Sequence, residues 1–267
     1  MSNFLYRYRV VDDHALDGLE KNEFYFASPS SFNDPFDCKT LFTLKDNSIK
    51  DWCLLFDKHL LLFEPQLSPE ERRIKVEEKI QIENYKSPDV RKEQLRIWEK
   101  ILEKESNKLG IVCLSKTPKD ILMWSHYSDK HRGFCLKFDK KIIENKYFCH
   151  EMGYNPTYPT FKDYVKVLVQ SKRGNYKSAL LTKSKHWKYE KEFRLIEDPN
   201  SRPDSPGERK YRYPEEALVG IIWGCQMLKR NKKMIEYILS KRKHPLSVFK
   251  AIKDEDQYAL KIKQISK

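Results

Sequence analysis

From Ile49 to Leu109 the chain carries no glycine and a dense mixture of charges, and this stretch limits the possible folds most. Within it lie Ile49–Phe63, Pro69–Glu83 and Pro88–Leu109, with Pro65, Pro69 and Pro88 at their boundaries. Proline suits the first turn of a helix and stops one elsewhere, so these segments read as three helices. The flanks read differently. Phe4–Val10, Glu23–Ala27, Gly110–Leu114, Gly133–Asp139, Tyr164–Gln170, Glu192–Glu197 and Ala217–Trp223 are short and rich in aromatic and β-branched residues, as strands are. His244–Lys250 and Tyr258–Ile265 are expected to close the sheet. Helices are expected after Asp12 or Asp13, from Asp120 through Tyr127, over Asn175–Leu181 and over Lys229–Lys241. In the last of these, Met234, Ile235, Ile238 and Leu239 face inward. Strict strand–helix–strand alternation is absent. The expectation is an α+β fold with a mixed or antiparallel sheet core, formed by residues 1–48 and 110–267 and interrupted by a helical insertion at 49–109.

A length of 267 residues suits one large domain with an insertion, or two small ones. No apolar run approaches the roughly 20 residues of a membrane helix. Met1-Ser2-Asn3-Phe4 does not open a signal peptide, so a cytoplasmic protein without a membrane partner is expected. The six cysteines are scattered with no Cys-x-x-Cys pair, which favours reduced thiols over zinc or disulfides. The net charge of +13 raises the local concentration of polyanions, making RNA or DNA a candidate partner. The alternative is a solvated, lysine-rich surface.

Four segments could carry chemistry. In Leu5-Tyr6-Arg7-Tyr8-Arg9 a period of two puts both tyrosines on one face and both arginines on the other. Paired guanidiniums can grip a carboxylate or pyrophosphate, or can be solvated cations of an edge strand. In Phe32-Asn-Asp-Pro-Phe-Asp37, a loop stiffened by Pro29 and Pro35, Asn33, Asp34 and Asp37 either face a ligand or form Asx turns. In Met123-Trp-Ser-His-Tyr127, Trp124 and Tyr127 could stack on a ring, and His126 could act as a general acid or base. The other reading is an aromatic core helix. In Trp187-Lys-Tyr-Glu190-Lys-Glu192-Phe-Arg194, Glu190, Glu192 and Arg194 share a face along an extended segment, with Phe193 on the opposite, core face. That row is either an exposed ion-pair strip or, beside Trp187 and Tyr189, a pocket wall. No phosphate-binding glycine loop, zinc-protease motif or nucleophile elbow is present.

Together with Phe24-Tyr-Phe-Ala-Ser-Pro29, Gly133-Phe-Cys-Leu and Ile221-Ile-Trp-Gly224, these segments resemble a bacterial family known as a domain of unknown function, numbered 2971. The resemblance spans most of the chain outside 49–109. The layout is also similar to that of ADP-ribosyltransferases, which begin with a strand bearing His or Arg and end their motif set with a glutamate, often in a Glu-x-Glu pair. That resemblance implies an NAD-consuming enzyme in a bacterial toxin or phage-defence setting with an antitoxin protein as partner, and the positive charge favours a nucleic acid, RNA above all, as acceptor. Glu192 would stabilise the oxocarbenium-like transition state and Glu190 would orient the acceptor. Arg7 and Arg9 would bind the pyrophosphate, and Trp124 or Tyr127 would sandwich the nicotinamide. Tyr8, Ser28, Asn33, Asp34, Asp37 and Arg194 would complete the NAD site. Two other readings stand beside it: a nucleic-acid-binding protein without chemistry, and a divalent-metal nuclease using Asp34, Asp37, Glu190 and Glu192.

Overall fold

Alternation along the first strand organises the sheet. A computed structural model describes residues 3–39, 42–44, 47–170, 180–201 and 207–266. The chain begins with β1 (Phe4–Arg9), α1 (Asp13–Glu20) and β2 (Glu23–Tyr25), followed by α2 (Ile49–Phe63), α3 (Pro69–Ile82) and α4 (Pro88–Lys108). Next come β3 (Gly110–Ser115), α5 (Ile121–Tyr127), β4 (Phe134–Asp139), α6 (Lys140–Lys146), β5 (Cys149–Glu151), β6 (Gly153–Asn155) and α7 (Phe161–Gln170). The last third holds β7 (Thr182–Ser184), β8 (Glu192–Glu197), β9 (Lys210–Arg212), β10 (Leu218–Trp223), α8 (Lys229–Ser240), β11 (Ser247–Lys253) and β12 (Leu260–Ser266). No helix among the described residues is long and apolar enough to cross a membrane.

The chain divides into two units: Met1–Ser31, Leu109–Met152 and His186–Lys267 form the first, and Phe32–Lys108 with Gly153–Lys185 the second. The first is an α+β unit. Its eight-stranded sheet has the order β12-β11-β10-β4-β1-β3-β8-β5. All neighbours are antiparallel except β10 and β11, which run parallel. The short pair β2–β9 is separate. One face of the large sheet packs Leu5, Val112, Leu114, Leu136, Phe138 and Leu195 against Ala15 and Leu19 of α1 and Ile235 of α8. Burying each large aliphatic or aromatic side chain contributes roughly 1.5–3 kcal/mol. Asp12 caps α1 by accepting from the Ala15 amide at 2.7 Å. The other face carries Tyr8, Met123, Trp124, Cys135, Ile222 and Ala251. On α8, Ile235 is buried and Ile238 and Leu239 pack against the core, whereas Met234 is exposed, contrary to the inward position expected for it.

The second unit is built around α2, α3, α4 and α7. Its core joins Trp52, Phe56, Val76, Tyr85 and Leu95 to Phe161, Tyr164 and Val165, with the Trp52 and Phe161 rings 4.4 Å apart. Ser68 and Glu71 form a reciprocal cap at the start of α3. This unit therefore reaches beyond 49–109 on both sides of the sequence. The strand expected over Tyr164–Gln170 is instead the body of α7. Apolar residues at 161, 164, 165 and 168 follow the helical spacing, which outweighs the β-branched content of the run. The helix expected over Asn175–Leu181 falls mostly outside the described residues.

Candidate functional site

Sheet register decides which polar residues can meet. Tyr6 pairs with Ser115, and Ser115 pairs with Glu192, so their side chains share one face. Arg194 lies on that face too, opposite Cys113, whose exposure shows that solvent reaches this stretch. Glu192 and Arg194 are buried, at 3% and 0% exposure. The Arg194 Nε donates to Glu192 Oε1 at 2.7 Å and an Nη reaches Oε2 at 3.4 Å. Burying either ion alone would cost several kcal/mol, so the bidentate contact is what allows both to stay charged inside.

Glu190 sits just before β8, beyond a reversal at Lys191, whose φ of 46° is left-handed. It is 3% exposed. Its Oε1 accepts from the Tyr127 hydroxyl at 2.8 Å, and its backbone carbonyl accepts from the Ser115 hydroxyl at 2.6 Å. Tyr127 is delivered by α5, which Asp120 caps by accepting from the Leu122 and Met123 amides at 2.9 and 3.1 Å. Flanking Tyr127 and Glu190 in the sequence are the exposed His126 and the part-buried Trp187 and Tyr189. The His126 and Trp187 rings meet edge-on at 6.4 Å, and the Trp187 and Tyr189 rings lie 5.9 Å apart. Through Tyr127, whose ring meets His126 at 6.3 Å, the buried carboxylate is linked to this group of rings. Ser115 was not singled out from the sequence. Its signal is a polar residue ending the apolar strand Gly110–Leu114.

Two expected ligand contacts prove to be core groups. Trp124 is fully buried, its Nε1 donates to the Pro118 carbonyl at 2.8 Å, and its ring meets Tyr8 edge-on at 5.2 Å. It cannot sandwich a nicotinamide without leaving the core. Tyr8 is buried as well, with its hydroxyl donating to the Thr117 carbonyl at 2.7 Å.

Arg7 and Arg9 are on the opposite face of the sheet. Arg7 pairs with Leu136, a core residue of that face, and its guanidinium lies 5.1 Å from the centroid of the Phe24 ring. Strand β3 separates β1 from β8. The expected pyrophosphate clamp and the glutamates therefore do not form one pocket, because alternate residues of a strand point to opposite faces.

Ser28 belongs to the first unit, with its hydroxyl 3.0 Å from that of Ser30. Asn33, Asp34 and Asp37 belong to the second. Asn33 is exposed. Asp34 accepts from the Phe36 amide at 2.9 Å, an Asx turn that shapes the loop. Asp37 is buried against Lys183, 3.1 Å away. Among the described residues no group of three or more His, Cys, Asp or Glu side chains is arranged to hold a metal ion.

No curated protein and no solved structure matches the chain. The segment that does match a known family begins within α5 and ends within β8, and includes Tyr127, Glu190, Glu192 and Arg194. Residues 123–195 match the family described as Protein of unknown function (DUF2971).

Proposed function

We propose that the protein is an NAD-consuming enzyme of the ADP-ribosyltransferase kind, with Glu190 rather than Glu192 as its reacting carboxylate. The observation that carries this reading is the buried Glu190, held by the Tyr127 hydroxyl beside the rim of His126, Trp187 and Tyr189. In such a reaction the bond between the nicotinamide nitrogen and the ribose anomeric carbon breaks, and its electron pair leaves with neutral nicotinamide. Positive charge grows on the ribose, where a fixed carboxylate stabilises it most. The acceptor's lone pair then closes on the anomeric carbon, and its proton passes to His126. The aromatic rim offers flat faces for the nicotinamide ring. Glu192 has its charge offset by Arg194, so its role is to position the start of β8.

The acceptor in this reading is nucleic acid. A specific feature supports it: α8 begins Lys229-Arg230-Asn-Lys232-Lys233 with no acidic residue in its first turn. Cations at the positive end of a helix dipole oppose local stability and add to the outward potential. The same feature supports the second reading, a nucleic-acid-binding protein without chemistry.

The test measures NAD loss and nicotinamide release with RNA and DNA present, for wild type, Glu190→Gln and Glu192→Gln, with circular dichroism as the folding control. Glu190→Gln is expected to abolish turnover while staying folded, and to relieve any growth arrest the wild type causes on expression. A folded Glu190→Gln protein with full turnover would remove the proposed role. Wild type that retains RNA without consuming NAD would establish the binding reading instead.

A further inference from the structure

On the face of the sheet turned away from Glu190, a cavity of about 430 Å³ opens between β1, α1 and β2. Its volume lies in the range of small-molecule sites. Arg7 and Arg9 stand on one wall, and Ala15, Leu19, Phe24 and Leu136 make much of the rest apolar.

The charges around this cavity are unequal in their pairing. Each carboxylate on the wall has a cationic partner: Asp12 has Arg9 at 3.7 Å, Asp17 has Lys21 at 2.6 Å and Lys210 at 3.2 Å, and Glu23 has Arg212 at 3.4 Å. Arg7 has no carboxylate within ion-pair distance among the described residues, and its close contact is the Phe24 ring. The hydroxyl of Tyr213, which also lines the cavity, is buried with no hydrogen-bond partner among the described residues. Arg7 is enclosed by protein yet open to solvent through the cavity. Burial, and then the neighbouring Arg9, push its pKa down to about 9. A guanidinium keeps its proton at neutral pH, so Arg7 is an enclosed cation.

We infer that this cavity is a binding site for a small organic monophosphate, the phosphate seated on Arg7 and Arg9 and a compact, flat body against Phe24 and Leu136. Arg7 presents a guanidinium fork, unpartnered by carboxylate among the described residues, to phosphate oxygens, and Arg9, held to Asp12 only at 3.7 Å, adds a second that a dianion can share. The apolar wall leaves room for more than the bare ion. The site does not depend on the glycosyl-transfer reading, because the sheet separates it from Glu190.

The test is titration calorimetry of the full chain with adenosine 5′-monophosphate, adenosine and inorganic phosphate. The monophosphate is expected to bind and to raise the melting temperature, adenosine to bind at least about tenfold more weakly, and inorganic phosphate to compete weakly. Arg7→Gln should weaken the monophosphate by about tenfold or more, and Arg7→Lys by less, because the charge persists while the fork is lost. Glu190→Gln should leave this binding unchanged. Adenosine binding as tightly as its monophosphate, or undiminished binding by a folded Arg7→Gln protein, would overturn the assignment. So would loss of NAD turnover in Arg7→Gln, since that would join the two faces in one site. If Arg7→Gln fails to fold, Arg7→Lys and Arg9→Gln carry the same comparison.

Discussion

The two faces of the large sheet handle buried charge in opposite ways. Beside β8, Arg194 is wholly inside and meets Glu192 through two contacts, and Glu190 accepts a hydroxyl. On the other face Arg7 is enclosed over an aromatic ring, with no carboxylate to meet it among the described residues. The contrast separates two meanings of a buried ion. A paired one is part of the framework, and removing its partner is expensive. An enclosed but unpaired one lowers stability slightly and leaves interaction energy for something that arrives from solution. This pairing is the reason the proposed function gives the reacting role to Glu190 and a positioning role to Glu192.

The largest expected effect tests the paired face. Arg194→Met should destabilise the protein by about 3–5 kcal/mol in urea unfolding, because Glu192 loses its guanidinium while still buried. An effect under about 1 kcal/mol would mean that the pair is not the framework described above. Arg7→Gln should act very differently: without ligand, unfolding free energy should stay within about 1 kcal/mol of wild type. Losing the contact with Phe24 costs about 0.5–1 kcal/mol, and relief of an unpaired enclosed charge offsets it. A loss comparable to that of Arg194→Met would erase the distinction between the faces.

The smallest effect concerns His131, which stacks near Trp124, 6.3 Å between ring centroids, with Ser125 Oγ 3.2 Å from its Nε2. Burial, and then Lys253, hold its pKa below the ordinary 6.5. The unfolded chain therefore binds this proton more readily than the folded one. The stability contributed by neutral His131 is complete above 6.5 and is lost as pH falls through the lower folded value. Melting temperature should fall on acidification over that window, and the slope should flatten in His131→Asn. Asparagine suits the left-handed φ of 67° at this position.

Local patterns were legible where one segment carries its own signal. Proline boundaries and the lack of glycine mark α2, α3 and α4, and the alternation of Phe4–Arg9 correctly separates Tyr6 and Tyr8 from Arg7 and Arg9. Likewise, Glu192 and Arg194 two residues apart on a strand must share a face. What could not be read is which face of β1 matches which face of β8. That depends on the register linking Tyr6 to Ser115 and Ser115 to Glu192, set by packing between distant parts of the chain. Trp124 was ambiguous for a related reason: an aromatic helix face looks the same whether it meets a ligand or Tyr8. In α7, helical spacing and β-branched content gave conflicting signals, and only the packing of Phe161, Tyr164 and Val165 resolves them.

The place of β1 in the sheet has a consequence for how the chain is made. Its two neighbours are β3 and β4, and both follow α2, α3 and α4 in sequence. On a ribosome adding roughly 5–20 residues per second, β1 waits on the order of ten seconds with its hydrogen-bonding edges unpaired. The helices of the other unit are synthesised during that interval. An exposed strand edge is a template for pairing with other chains. A nascent chain that stalls before Asp139 keeps β1 without its full set of neighbours, and slower translation through the Ile49–Lys108 helices lengthens that exposure.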